Sequence, residues 1–403
     1  MHSSHHGTVA GFAVQSSRHA TVGTVGLSTE SELPIGRVPI GSNRDHSAQF
    51  NVLALDGGGV RGIIQARILS ALEAATDRPI AELFDLIVGT SIGGIAALAL
   101  TIPGPDGSPL HTSESAAGLL AGHKDTIFPP NDLTVPHTMN QARNLASTAA
   151  RTGLAATGRH RDRGNARYSP EPLEDALRAF FDDAMLSDAI TPIVVPTFDA
   201  LTDRPVHFRS SYAANLAGCD IPMAIVARAA TAAPTFFPPL ETRWTGDQVV
   251  LLDAGVYANG VSLLAYTEAR IHAVAQGGSA EQILLVSLGS GRQYGSPDNG
   301  LNDVTRRNWV SLAERLMKAA EVGQQDTHHR LLHDLLRDRY WRLQPALPDA
   351  TSFGTDDAGD DHIADLVAIA DQFIADHTNE IGQLAEQLVP DDGGDDLISR
   401  PVQ

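Results

Sequence analysis

Two glycine-rich turns, each set between an apolar strand pattern and an apolar helix pattern, constrain this chain more than any other feature. The first is Leu53-Ala54-Leu55-Asp56-Gly57-Gly58-Gly59-Val60-Arg61-Gly62, a strand running into a bend of bare backbone amides. The second is Gly89-Thr90-Ser91-Ile92-Gly93, which follows the mostly apolar run Phe84–Val88. The patterning predicts a strand over Asn51–Leu55 and a helix over Ile63–Ala75 with Ile64, Ile68, Leu69 and Leu72 on one face. It then predicts a strand over Phe84–Val88, covered on both sides, and a small apolar helix over Ile92–Leu100. Strand, helix, strand, helix in this order implies a parallel sheet with right-handed crossovers, an α/β fold.

The first bend admits two uses. Gly57, Gly59 and Gly62 formally match the dinucleotide fingerprint, which would make the chain a Rossmann-type oxidoreductase. That fingerprint needs an acid at the end of the second strand to hold a ribose. Asp77 has about the right count but precedes that strand, and the strand's own end carries no acid. The other use is to hold an oxyanion. Glycines let the backbone turn sharply without side-chain obstruction, and the amides of Gly58 and Gly59, at the positive end of a helix, can point at a developing negative oxygen. Arg61 then either braces the loop or adds positive potential.

The second turn reads as a nucleophile elbow, with Gly89 and Gly93 clearing space around Ser91. The plainer reading makes Ser91 a cap for the following helix. A nucleophilic serine needs a base, and none of the sixteen histidines lies in a context that marks it. His207 alternates along a strand, and His328, His329 and His333 fall in a long helical stretch. Asp253 ends the apolar strand Val249–Leu252 and opens Asp253-Ala254-Gly255. An aspartate at a strand's carboxyl end can face the crevice where α/β sheets bind ligands, though a turn or cap aspartate has the same appearance.

The chain has 403 residues, 42% hydrophobic and 19% charged, enough for a substantial core. One cysteine, Cys219, rules out a disulfide within the chain and is compatible with a reducing cytoplasm. The net charge of −19 argues against a nucleic acid polymer as partner. Between Arg342 and Arg400 there is no Lys or Arg and there are fourteen Asp and Glu, so the acidity concentrates at the carboxyl end. Such a tail is screened within ~8 Å at physiological salt and does not bar membrane contact. No secretory signal and no apolar run long enough to span a bilayer is expected, which leaves peripheral contact only.

Residues 1–48, rich in Ser, Gly, Thr and His, read as a flexible leader. Residues 103–168 break the α/β pattern and read as an insertion or lid over the site. Its five Arg between Arg151 and Arg167 read either as a solvated loop or as a phosphate site. Further strands are predicted at Ile193–Phe198, Val206–Arg209, Val249–Leu252, Ile283–Leu288 and Arg339–Leu343. Helices are predicted at Pro172–Phe181, Asp303–Arg337 and Ile363–Leu388, the last with Leu366, Ile369, Phe373, Ile381 and Leu384 on its apolar face. The main domain is thus expected over 49–345, and 346–403 as an acidic helix and tail.

These motifs resemble the patatin-like phospholipases over about residues 50–345. Asp56–Gly62 is similar to that family's oxyanion motif, Gly89–Gly93 to its nucleophile motif, and Asp253-Ala254-Gly255 to its Asp-Gly-Gly or Asp-Gly-Ala motif. Ala229–Pro239 and Ser287–Gly291 are also similar to family segments. The resemblance implies a three-layer α/β/α patatin-like fold with a mainly parallel central sheet. It implies a Ser91–Asp253 dyad without histidine, an oxyanion hole from Gly57, Gly58, Gly59, Arg61 and Gly62, and no metal or cofactor. Ala254 stands where the family usually has glycine, which questions the backbone angle after Asp253 and keeps an inert, lipid- or nucleotide-binding member of the fold in view. The implied activity is acyl-ester hydrolysis of phospholipids at a membrane surface by a cytoplasmic protein, alone or as a homo-oligomer. Tyr168–Phe181, the strand after it, and Tyr340–Pro345 most resemble a bacterial branch of antiphage effectors activated by cyclic nucleotides.

Overall fold

Six apolar or amide residues in a row, Phe50–Leu55, form strand β1, which is buried on both faces. It is the centre of a sheet in a computed structural model that describes residues 49–128, 166–275, 278–293, 309–348 and 354–389. The other strands are β2 (Leu86–Gly89), β3 (Ile193–Asp199), β4 (Arg204–Arg209), β5 (Leu240–Trp244), β6 (Asp247–Asp253), β7 (Ile283–Leu288), β8 (Arg292–Gln293), β9 (Tyr340–Leu343) and β10 (Ala346–Leu347). The main sheet runs β5-β6-β3-β2-β1-β7-β9 with β4 added on β3, while β8 and β10 make a small parallel pair. β3, β2, β1, β7 and β9 are mutually parallel, and β4, β6 and β5 pair antiparallel.

Side chains of successive strand residues point to opposite faces, and the two cores follow that alternation. Leu53, Leu55, Ile87, Val195 and Val286 face one core; Val52, Ala54, Val88, Val194 and Leu285 face the other. The first core is closed by helices α1 (Gly62–Thr76), α2 (Ile92–Leu100), α3 (Ser113–Ile127), α4 (Glu171–Phe181) and α5 (Met223–Ala230). The second is closed by α6 (Ser262–Ala275) and α7 (Trp309–Leu336) through Val261, Ala265, Ala269, Leu332 and Leu336. Helices thus cover both faces of a mostly parallel sheet, a three-layer α/β/α arrangement.

Several boundaries depart from the sequence reading. The apolar run at Phe84 starts early because Phe84 is a core residue ahead of the strand. Pairing begins only at Leu86, after Asp85 Oδ2 has accepted a hydrogen bond from Asn51 N at 2.7 Å. The single helix expected over Ile363–Leu388 is two, α8 (Asp360–Asp376) and α9 (Thr378–Leu388). His377 breaks it at φ −117°, with its ring stacked on Phe373. Both helices pack on α1, with Leu366, Ala370, Leu384, Ala385 and Leu388 buried in the first core. Helix α3 falls within the stretch read as an insertion, capped by Thr112 Oγ1 accepting from Ser115 N at 3.3 Å. The leader 1–48, the arginines 151–163 and the tail from 390 lie outside the described residues.

Candidate active site

Strand β3 explains how the site assembles. One of its edges is taken by β4 along Val194–Asp199. The other edge is shared: β2 pairs with Ile193 and Val194, and β6, running the opposite way, pairs with Thr197–Asp199. The carboxyl ends of β2 and β6 therefore approach each other along one edge, and Asp253, the last residue of β6, meets the turn that leaves β2. Asp253 was expected to reach the crevice at the carboxyl end of its strand. It reaches it as the end of an antiparallel one that points back toward the sheet.

Ser91 sits at the tip of that turn with φ 54° and ψ −122°. A non-glycine residue held there costs about 1–3 kcal/mol, which the surroundings must enforce. Main-chain bonds do so: Thr90 N donates to Leu55 O at 3.1 Å, Gly93 N to Thr90 O at 2.8 Å, and Thr90 Oγ1 to Ala258 O at 2.7 Å. The flanking glycines are needed for space. A Cβ on Gly93 would lie 2.4 Å from Leu55 O, and one on Gly89 would lie 2.1 Å from Gly93 O. Both neighbours are backbone and cannot move aside cheaply. Gly93→Ala is accordingly expected to lower the unfolding free energy by about 3 kcal/mol or more, the upper range for overpacking, in urea titrations read by circular dichroism.

The Ser91 side chain makes no hydrogen bond to the helix it precedes, which sets aside the capping reading. Its hydroxyl instead lies near enough to the Asp253 carboxylate to favour that group's charged form. Gly255 N donates to Asp253 Oδ1 at 2.7 Å and fixes the carboxylate's orientation. Burial pushes the Asp253 carboxyl up to about 6, more than the Ser91 hydroxyl and the Gly255 amide pull it down. Ala254 is fully buried and takes φ −70° and ψ −8°, ordinary right-handed geometry that alanine adopts freely. The turn after Asp253 therefore does not require glycine.

The first glycine bend leaves β1 beside this pair. A Cβ on Gly57 would come within 3.3 Å of Ser91 Cβ. Gly57 N is used, donating to Asn259 O at 3.0 Å. Among the described residues the N–H groups of Gly58 and Gly59 meet no protein acceptor, and both lie at the amino end of the turn that leads into α1. Gly62 gives way to Ile92, since a Cβ there would fall 2.4 Å from its Cγ1. Arg61 turns back over the bend, with Nε 3.4 Å from Gly58 O and Glu321 nearby, so it braces the loop. Its charge is also partly offset there. The ribose-binding acid of the dinucleotide reading is missing, since Asp77 caps the far end of α1 in a left-handed conformation at φ 53°.

Three supports were not legible from the motifs. Asp56, just before the bend, is buried and ion-paired with Arg342 on β9, Nη2 to Oδ2 at 2.6 Å. Ser290 Oγ donates to Gly57 O at 2.7 Å. Asn259 Nδ2 donates to Glu321 Oε1 at 2.8 Å, tying α7 to the site. The carboxyl-terminal part also takes part: Val60 N donates to Thr355 O at 2.9 Å, and Asp356 binds Arg167 and the Tyr168 hydroxyl. The histidines are elsewhere. His207 lies beside the Arg209–Glu268 pair on β4, pushed down to about 4 by burial and by Arg209, and His328 Nδ1 is 3.2 Å from Gly260 O. Among the described residues, no helix is long and apolar enough to cross a membrane.

The chain is 30% identical over 238 residues to Patatin-like protein 2 of Oryza sativa subsp. indica, covering 56% of this chain and 54% of that one. It is 30% identical over 261 residues to Patatin-like protein 2 of Arabidopsis thaliana, covering 60% and 59%. The aligned part thus spans little more than half the length of these curated relatives. It is also 26% identical over 354 residues to a Solanum tuberosum protein named "Probable inactive patatin-3-Kuras 1", covering 82% and 87%. The model of the family described as patatin-like phospholipase matches residues 53–265, more than half of the chain. The glycine bend, the serine turn and the strand ending at Asp253 all fall inside that span, and the chain belongs to the patatin-like phospholipase family.

Proposed function

We propose that this chain is a lipid acyl hydrolase that cleaves carboxylic esters of membrane phospholipids through Ser91 and Asp253. The observation that carries the reading is a serine held in a strained turn beside a carboxylate that burial raises to about 6, next to two glycine amides that meet no protein acceptor among the described residues. Ser91 Oγ attacks the ester carbonyl carbon as its proton passes to Asp253. The tetrahedral oxygen takes its hydrogen bonds from Gly58 N and Gly59 N. Collapse breaks the bond to the alcohol oxygen, which leaves with the proton from Asp253, and Ser91 keeps the acyl group. Water attacks the acyl-enzyme with Asp253 as base and releases the fatty acid. A carboxylate near 6 is a far better base for a serine hydroxyl than one near 4 and is still ionised at neutral pH.

A fluorophosphonate probe is expected to label the wild-type chain and leave Ser91→Ala unlabelled, with fatty-acid release from mixed phospholipid vesicles lost in parallel. Full hydrolysis by purified Ser91→Ala protein would overturn the assignment. An unlabelled wild-type chain that still binds vesicles would favour the inert reading, toward which only the name of the potato relative points. Activation by a cyclic nucleotide in antiphage defence is part of the proposal and rests on the resemblance of Tyr168–Phe181 and Tyr340–Pro345. Equal hydrolysis with and without a panel of cyclic dinucleotides would remove that part alone.

A further inference from the structure

The amides of Gly58 and Gly59 are aimed from behind. In a trans peptide the C=O and the N–H point opposite ways. Gly57 O is taken by Ser290 Oγ and Gly58 O by Arg61 N at 3.2 Å, so Gly58 N and Gly59 N are turned away from those partners. The next peptide, between Gly59 and Val60, is fixed from outside the bend, by Thr355 O accepting from Val60 N at 2.9 Å. Thr355 also backs the Cα of Gly59, since a Cβ there would collide with the Thr355 carbonyl. Gly59 stands at φ 58°, and glycine passes readily between positive and negative φ. The residue therefore does not hold this angle by itself. The turn bond to Gly58 O holds it on one side and Thr355 on the other.

Thr355 belongs to a strap, residues 354–359, that is neither helix nor strand. Its neighbour Asp356, with a side chain only 13% exposed, is ion-paired with Arg167 and accepts from the Tyr168 hydroxyl at 2.8 Å. Arg167 N and Tyr168 N donate to Thr235 O and Phe236 O, each at 2.9 Å. The Tyr168 ring packs on Phe128 and Phe237, with centroids 5.3 and 5.7 Å apart. The segment that carries Thr235 and Phe236 begins at Ala232, whose carbonyl accepts from Asp253 N at 3.1 Å. Contacts thus run unbroken from the base to the glycine bend: Asp253, Ala232, the Thr235–Phe236 turn, Arg167 and Tyr168, Asp356, Thr355, Gly59. The strap is anchored at its far end too, where Ala358 is buried and its carbonyl accepts from Lys124 Nζ at 3.2 Å.

We infer that Asp356 is a positioning residue for hydrolysis: latched by Arg167 and Tyr168, it keeps Thr355 against the bend and so keeps Gly58 N and Gly59 N turned toward the reacting oxygen. The inference rests on the hydrolase reading and adds to it what sets the oxyanion donors in register with Asp253. Asp356 touches neither substrate nor serine. Its effect belongs to the transition state, where the oxygen carries charge, and not to the neutral ester.

The test uses p-nitrophenyl butyrate, a soluble ester, with the full chain. Asp356→Ala should lower kcat by about 10- to 100-fold, the upper end being the cost of a ~1 Å misplacement. KM should stay within about two-fold of wild type, because the lost interaction is made only in the transition state. A short alkyl trifluoromethyl ketone adds Ser91 Oγ to its carbonyl carbon, passes the serine proton to Asp253 and leaves a tetrahedral oxyanion at the glycine amides. Its inhibition constant should rise by the same factor as kcat/KM falls. Arg167→Met added to Asp356→Ala should cost no more than about two-fold further, since both open one latch. If Asp356→Ala fails to fold, Asp356→Asn keeps an acceptor for Tyr168 without the charge that Arg167 binds, and should show the same split at about three- to ten-fold. A lower melting temperature with kcat unchanged would overturn the inference. So would a loss of kcat with ketone inhibition unchanged, or losses that multiply in the double variant. Failure of the hydrolase reading shows instead in the wild-type chain, as absence of both probe labelling and hydrolysis.

Discussion

Asp253→Asn is expected to abolish hydrolysis while making the protein more stable. The carboxyl group stands at about 6 in the folded chain against an ordinary 3.8, because burial disfavours its charged form. The native state therefore binds this proton more tightly than the unfolded state. Stability contributed by the protonated form is fully present below about 3.8 and is lost as pH rises through about 6. At pH 7 and above the whole cost is present, ~3 kcal/mol for a shift of about two units. Asparagine keeps the acceptor that Gly255 N uses and removes the charge. Chemical denaturation at pH 8 should show the variant more stable by up to that amount, and the difference should vanish at pH 4, where the wild-type carboxyl is already neutral. Activity moves the other way. Loss of the base is expected to cost ~10⁴-fold in kcat, as for removal of the aspartate from a serine triad. Wild-type kcat/KM should fall through a one-proton acid limb centred at about 6. A variant that is destabilised equally at pH 4 and pH 8, or an acid limb near 4, would contradict the arrangement.

This opposition of stability and function also bears on what can be read from a sequence. The strands and helices nearest the site were legible because both period and punctuation agree there: Ile92–Leu100 and Ile283–Leu288 have the limits their apolar runs suggest. Ser91 and Asp253 were legible as residues, since a serine between glycines and an aspartate ending an apolar strand are local patterns. Their meeting was implied by the family resemblance and not by any local pattern. Nothing local in Val249–Asp253 distinguishes a parallel from an antiparallel strand, and it is the antiparallel pairing of β6 with Thr197–Asp199 that brings its end to the serine. Ala254 looked like a departure because a motif records residue types. The backbone angle it adopts needs no glycine. Helix α3 was hidden by Gly118 and Gly122 and by a weak apolar face, and tertiary packing outweighed propensity there. The packing of the carboxyl end was legible despite its acidity, since Leu366 and Leu384 on the expected apolar face are buried in the core against α1 while the carboxylates face outward. Long-range ion pairs lay beyond any local pattern, and one of them, buried at the end of β1, supports the glycine bend.

That pair joins Asp56 and Arg342, 286 positions apart in the chain. Asp56 is 1% exposed and stands at the last residue before the glycine bend, where Val261 N also donates to its Oδ1 at 3.3 Å. Arg342 reaches it from β9 and donates to Ser287 Oγ at 2.7 Å on the way. The guanidinium thus ties together the ends of β1, β7 and β9 beneath the amides of Gly58 and Gly59. Removing one member of a buried ion pair strands the other, at a cost of about 3–5 kcal/mol. Arg342→Met is expected to lose that much in urea unfolding, and to lose hydrolysis as well, because the bend above Asp56 no longer has a fixed base. Arg342→Lys keeps the charge but cannot serve Asp56 and Ser287 from one planar fork, so its losses should be intermediate. Asp56→Asn combined with Arg342→Met removes both charges and should recover stability relative to Arg342→Met alone, a coupling of about 1–3 kcal/mol. Hydrolysis should stay low in the double variant, since neutral side chains there do not restore the three-strand tie. Strictly additive losses in the double variant would mean that the pair is not energetically coupled and that the glycine bend is held by its own backbone bonds.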